Sequence, residues 1–223
     1  MRLGQGRFWT EHGKAPKPRG MTSSPLDPAA APVAHSKRLG RADWIAAAIQ
    51  VMADSSVEQV RVEKLAIDLK ASKGSFYWHF KDRNALLDAV LEEWQARSTL
   101  MVQERLMRDE RDVPTRIRRL MELPFHSSAA ARAADLELAI MGWARRSAAA
   151  RAAVDAVDGA RTAYLVDQFV ALGCAETEAQ WRAHQAYALL RYVAQRTDLP
   201  ITARQGMIAK LHARLTQDCA AGH

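Results

Sequence analysis

From Arg83 onward, no run of alternating polar and apolar residues is long enough to make a strand. Apolar positions recur instead at intervals of three and four. Arg and Ala dominate this stretch, and both are strong helix formers. Helices are predicted at about 83–108, 113–123, 130–147, 150–172, 176–196 and 201–217. The punctuation agrees with that division. Pro114 sits in a first turn, Pro124 closes the helix before it, and Pro200 stands at the last helix start, where a missing N–H costs nothing. Gly173 suits the left-handed residue that ends a helix. The fold class is all-α.

The segment before Arg83 has the same period in shorter pieces. Trp44, Ile45, Ala48, Ile49, Val51 and Met52 predict a helix over 42–54, with Asp43 favourable to the dipole at its start. After the turn Asp54-Ser55-Ser56, a second helix covers 61–69, with Val62, Leu65, Ala66 and Leu69 on one face. A break at Lys70-Ala71 follows. Ser72 then caps a very short helix, 73–79, anchored in the core by Phe76 and Phe80. A helix, a tight turn and a short basic helix make a helix-turn-helix candidate. Spacing alone is weak support, because many helical proteins contain such turns. The expected architecture is a three-helix head at 41–83 joined to a helical body at 84–217, about nine helices in all.

Charge adds a direction. Of the formal +7 of the 223 residues, residues 1–41 hold +6, from eight basic and two acidic side chains. Residues 60–83 carry six basic side chains against three acidic ones. Nucleic acid is the natural partner of such a front end. Residues 1–40, rich in Pro, Gly, Ala and Ser, are expected to be a disordered basic arm. That arm either has no specific role or adds phosphate contacts, and Met21 is an alternative start. Residues 218–223 are expected to be a disordered tail. No apolar run reaches membrane-spanning length, and the basic N-terminus, which lacks an apolar h-region, is not expected to be a secretory signal. The expected compartment is a reducing cytoplasm, and Cys174 and Cys219 do not look like a redox pair. There is no Walker loop, dinucleotide fingerprint or HExxH spacing, and His79, His126 and His184 lack a catalytic constellation. No catalytic residue, metal or cofactor is expected.

The run Val62–Arg83, VEKLAIDLKASKGSFYWHFKDR, narrows the choice. It resembles the DNA-binding signature of TetR-family transcriptional regulators. The resemblance lies in Leu65-Ala66, the contiguous Ser72–Phe80, Asp82-Arg83 and Ala85-Leu86-Leu87. It covers about residues 41–90; beyond them the similarity is of length, helicity and stretches such as Leu136–Ile140 with Trp143–Arg146. Two positions depart from the pattern: Ser56 and Lys70 stand where the family usually has glycine. Lys70 therefore implies either an αR-like turn or a strain of about 1 kcal/mol.

Ser72 starts the recognition helix, with Lys73 and Ser75 on the side facing a groove. The resemblance implies phosphate contacts for Tyr77 and His79, another backbone contact for Lys81, and one for Arg61 at the start of helix 2. Lys70 and Trp78 are further surface candidates. Tyr77 can instead pack under its helix, His79 can cap it, and Lys73 can be merely solvated.

The resemblance also implies a homodimer on palindromic DNA, a small-molecule effector in the body, and repression as the commoner outcome. Its dimer interface would fall on the last two helices: Trp181, His184, Ala188, Leu189 and Tyr192, with Ile208, Leu211 and Leu215. The same stripe could be intramolecular core. Pocket candidates are Trp94, Met121, Phe125, His126, Met141, Trp143, Tyr164, Phe169 and Tyr187. They suit a mostly apolar or aromatic ligand with His126 or Tyr164 as polar handle, or an anionic one reached by Arg145 or Arg146. Each aromatic could equally be core. Two other functions remain open: a non-specific DNA-binding protein, and a helical protein-interaction module.

Overall fold

The computed structural model describes residues 39–107, 112–122 and 128–217. Among them are nine α-helices: α1 (Arg41–Asp54), α2 (Val62–Asp68), α3 (Lys73–Tyr77), α4 (Arg83–Met107), α5 (Val113–Glu122), α6 (Ser128–Ala144), α7 (Ala148–Ala171), α8 (Glu176–Gln195) and α9 (Ile201–Thr216). A 3-10 turn, Val57–Gln59, between α1 and α2 was not foreseen. The all-α expectation holds. The expected arm, short of its last two residues, and the expected tail lie outside the described residues.

Local chemistry explains the element ends. The Gly40 amide donates to Asp43 Oδ2 at 2.7 Å, so Gly40 begins α1 instead of belonging to the arm. Ser72 Oγ accepts from the Ser75 amide at 3.1 Å, as an N-cap should. Ser147 Oγ accepts from the Ala150 amide at 3.3 Å. Ser147 therefore caps α7 and does not continue α6, which ends three residues earlier than expected. Gly173 has φ +99°, the left-handed geometry expected of it. Lys70 also has a positive φ, +54°, so the αR-like alternative for this turn does not hold and the lysine carries the strain. Ser56, at φ −165°, is extended backbone that any residue adopts, so the missing glycine there costs nothing.

Two cores build the molecule. The first joins Trp44, Leu65, Phe76 and Phe80 of the head to Leu86 and Val90 of α4, Ile140 of α6 and Val154 of α7. Trp44 meets Phe76 edge-on at 5.3 Å, and Phe76 stacks on Phe80 at 5.5 Å. This core continues across residue 83. The second core joins Ile117 and Met121 of α5, Leu165 and Phe169 of α7, Tyr187 of α8 and Ile208 of α9. Helix α7 contributes to both, so it spans the body from the head to the last helix pair.

Several sequence expectations are corrected by burial. Trp94, Met121, Tyr164 and Phe169 fill the cores. Trp143 packs half-buried against the first core. Ile208 and Leu215 are buried within the protomer and cannot also face a partner, while Leu189 and Leu211 pack half-buried against the second core. Cys174 is disulfide-bonded, contrary to expectation; the chain's other cysteine lies outside the described residues.

Candidate nucleic-acid interface and body pocket

Helix α3 is too short to hold its own shape, so its position comes from its anchors. Phe76 and Phe80 are buried beneath it, and Ser72 caps it. Arg83 fastens the surrounding loops: its Nε donates to the Val60 carbonyl at 2.6 Å and its Nη2 to that of Val57 at 2.5 Å. Asp82 Oδ1 accepts the Ala85 amide at 2.9 Å and so begins α4.

With those anchors set, the outer side of α3 is open. Trp78 is 88% exposed and Tyr77 is 57% exposed, with its ring edge-on to Phe76 at 5.2 Å. Arg61, Lys70, Ser72, Lys73 and Lys81 are exposed, and Ser75 and His79 are half-buried. Eight of the nine expected residues therefore lie on α3 or in the turns on either side of it, and Arg61 stands at the start of α2. Two of them already have partners. Lys73 Nζ lies 3.0 Å from Glu63 Oε1. The hydrogen bond from Lys73 holds the Glu63 carboxyl below its ordinary pKa. His79 Nε2 lies 3.1 Å from the Leu39 carbonyl, which can only accept, so Nε2 carries the proton. Ile67, exposed on α2, was not among the expected residues, because its neighbours Leu65 and Ala66 carry the apolar face.

The body holds a cavity of about 150 Å³ bounded by α5, α6, α7 and α8. Of the expected pocket residues, Met141 and Tyr187 line it. Trp94, Met121, Trp143, Tyr164 and Phe169 do not. Phe125 and His126 lie outside the described residues. Arg146 pairs with Glu58 on the surface, and Arg145 is exposed away from the wall.

Four polar residues of the wall were missed: Glu137, Arg161, Arg191 and Gln195. Arg161 of α7 grips Glu137 of α6 with both forks: Nη1 lies 2.9 Å from Oε1 and Nη2 3.1 Å from Oε2. Arg191 of α8 donates to the same Glu137 Oε1. The Tyr187 hydroxyl donates to Asp158 Oδ1 at 2.7 Å, and burial pushes its pKa up to about 12. Burial opposes the charge on Arg161, but Glu137 outweighs it and keeps that guanidinium more basic than usual. The one sequence signal was Glu137 standing alone among the apolar residues Leu136, Leu138, Ala139 and Ile140.

On the far side of α8, Trp181 is 67% and Tyr192 45% exposed, with His184 and Ala188 exposed between them. These four share one outward face at intervals of three and four.

The profile of the family described as bacterial regulatory proteins, tetR family, matches residues 45–90. That span begins in α1 and ends in α4, enclosing the whole anchored head. Residues 45–90 are thus the DNA-binding region of a TetR-family regulator. The tetracycline repressor protein class D of Escherichia coli is 37% identical over 60 residues, which are 27% of this chain and 28% of that repressor. The chain thus aligns with under a third of that relative's length. The TetR fold extends further than the sequence match. A Rhodococcus sp. structure described as a TetR-family transcriptional regulator superposes with TM-score 0.68 at 18% identity, covering 79% of this chain and 98% of its own. A transcriptional regulator from Saccharomonospora viridis in complex with choline gives TM-score 0.67 at 15% identity, over 76% of this chain and 93% of that one. Among the described residues, no helix is long and apolar enough to cross a membrane, and no cluster of three or more acidic, His or Cys side chains could hold a metal.

Proposed function

We propose that this chain is a homodimeric regulator that binds a palindromic operator through α3 and leaves it when a small molecule enters the body pocket. The observation that carries the reading is the outward presentation of Lys73, Tyr77 and Trp78 on a helix fixed from below by Phe76 and Phe80. A fixed backbone lets side chains meet bases in one register, which is what sequence choice requires. Lys73 exchanges Glu63 for a guanine edge or a phosphate at small cost, since an exposed ion pair adds little to stability. Tyr77, Lys81, Arg61 and Lys70 supply phosphate contacts, and His79 does so if it leaves the Leu39 carbonyl.

One short helix reads few base pairs, so two copies related by a twofold axis are needed. The outward face of α8, with Trp181, His184, Ala188 and Tyr192, supplies the self-complementary surface. Exposed aromatics of this size on a lone protomer favour a partner. Repression is the outcome favoured by the resemblance to tetracycline repressors. The Saccharomonospora viridis protein with choline supports a small-molecule site in a body of this shape.

The test is selection from random duplex DNA by the purified full chain, beside Tyr77→Ala and Lys73→Ala. Recovery of one palindrome, lost in both variants, supports the reading. Retention of all duplexes alike, released together by salt, would show a non-specific binder instead.

A further inference from the structure

The wall of the body pocket presents two guanidiniums and one carboxylate. Among the described residues, the charged side chains facing the cavity are Arg161, Arg191 and Glu137, two cations and one anion. Asp158, which receives the Tyr187 hydroxyl and lies 3.5 Å from Arg191 Nη2, is not part of that wall. The side chains of Arg161, Arg191 and Glu137 are only 15–16% exposed. Asp158 balances the second guanidinium from behind the wall, and a guanidinium fork facing the cavity is shaped to exchange one carboxylate for another. The opposite lining is apolar, with Leu120, Leu138, Met141 and Leu190. A cavity of about 150 Å³ holds a single ring or a short alkyl chain.

We propose that the pocket takes a small organic carboxylate with an apolar body, whose head group competes with Glu137 for Arg191 and Arg161. The proposal rests on the reading of the body as an effector domain. Its consequence follows from where Glu137 sits. This carboxylate gives α6 an ionic tie to both α7 and α8, beside the apolar packing of Ile140 against α7. Helix α6 is tied to the head by Ile140 in the core shared with Trp44, by Arg132 at 2.9 Å from Asp54, and by Arg146 on Glu58. A ligand carboxylate that displaces Glu137 removes the ionic tie of α6 to α7 and α8, leaves its apolar packing in place, and so shifts α6 together with the head it is fastened to. Occupancy of the guanidiniums is thereby coupled to the position of α3.

Isothermal titration of the full chain with matched probes tests this: benzoate, benzamide and benzylamine; hexanoate, hexanamide and hexylamine; and choline. At least one carboxylate is expected to bind about tenfold or more tighter than its amide and amine. Arg191→Gln should weaken that binding about tenfold. Glu137→Gln should strengthen it, because the internal competitor is neutralised; a merely structural Glu137 would give weakening or no change. If Arg191→Gln does not fold, Glu137→Gln decides alone. Amines or choline binding as well as the carboxylates would overturn the proposal. So would a wild type that selects a DNA palindrome but binds no carboxylate, and the regulator reading would then stand. Carboxylate binding with the expected response of the variants, in a protein that selects no DNA, would support the pocket assignment and remove the regulator reading.

Discussion

Lys73 and Glu63 pair across the turn of the reading head, Nζ to Oε1 at 3.0 Å, with both side chains largely exposed. Lys73 is thus held by a carboxylate of the preceding helix, and the DNA contact proposed for it requires that carboxylate to be displaced. Glu63→Gln is expected to tighten DNA binding several-fold at low salt, because the competing charge is gone. Lys73→Ala is expected to weaken it and to lower the salt slope by about one. Titrating labelled duplex across salt concentrations checks both.

The two departures from family glycine predict opposite outcomes. Lys70 sits at φ +54°, so Lys70→Gly should relieve strain and stabilise the fold by about 1 kcal/mol, while removing one cation from the interface. Ser56 is extended, so Ser56→Gly relieves nothing and should cost about 0.5–1 kcal/mol through backbone entropy. Thermal unfolding of the two variants beside the wild type checks the pair.

Tyr187 gives a pH signature. Burial raises its hydroxyl from 10 to about 12. The unfolded chain therefore loses this proton first as pH rises. The contribution is fully present below pH 10 and is lost as pH climbs through about 12, a total of roughly 3 kcal/mol. Tyr187→Phe lacks the titration but also lacks the hydrogen bond to Asp158. It should be the less stable form near pH 8, by about 1 kcal/mol, and lose less than the wild type above pH 10. Denaturant midpoints of both proteins from pH 8 to 12 check the crossing.

The exposed face of α8 sets the oligomeric prediction. Trp181→Glu and Tyr192→Glu each place a charge where the proposed partner packs. Each is expected to shift the protein toward monomer in sedimentation without loss of helix content. Ile208→Glu should unfold the body instead, because Ile208 is buried within the protomer.

The head was legible because its signals are local. Ser72 caps α3, Phe76 and Phe80 fall one turn apart, and Gly173 marks a helix end, all within a few residues of what they control. The body's pocket was not. Glu137 meets Arg161 and Arg191 from 24 and 54 residues away, so no window of sequence contains the cluster. Nor does helical spacing distinguish an aromatic that lines a cavity from one that fills a core. Tyr187 and Phe169 have the same local pattern, yet only Tyr187 borders the cavity. The 3-10 turn at Val57–Gln59 escaped for a related reason: the distant Arg83 holds it.

The central claim is sequence-selective binding by two copies of α3. Its most direct measurement is the affinity and stoichiometry of the full chain on the palindrome recovered by selection, on a single half-site and on a scrambled duplex, at physiological salt. Two protomers are expected on the palindrome, bound about a thousandfold tighter than the scrambled duplex, with the half-site far weaker. Equal affinity for all three duplexes would contradict that claim.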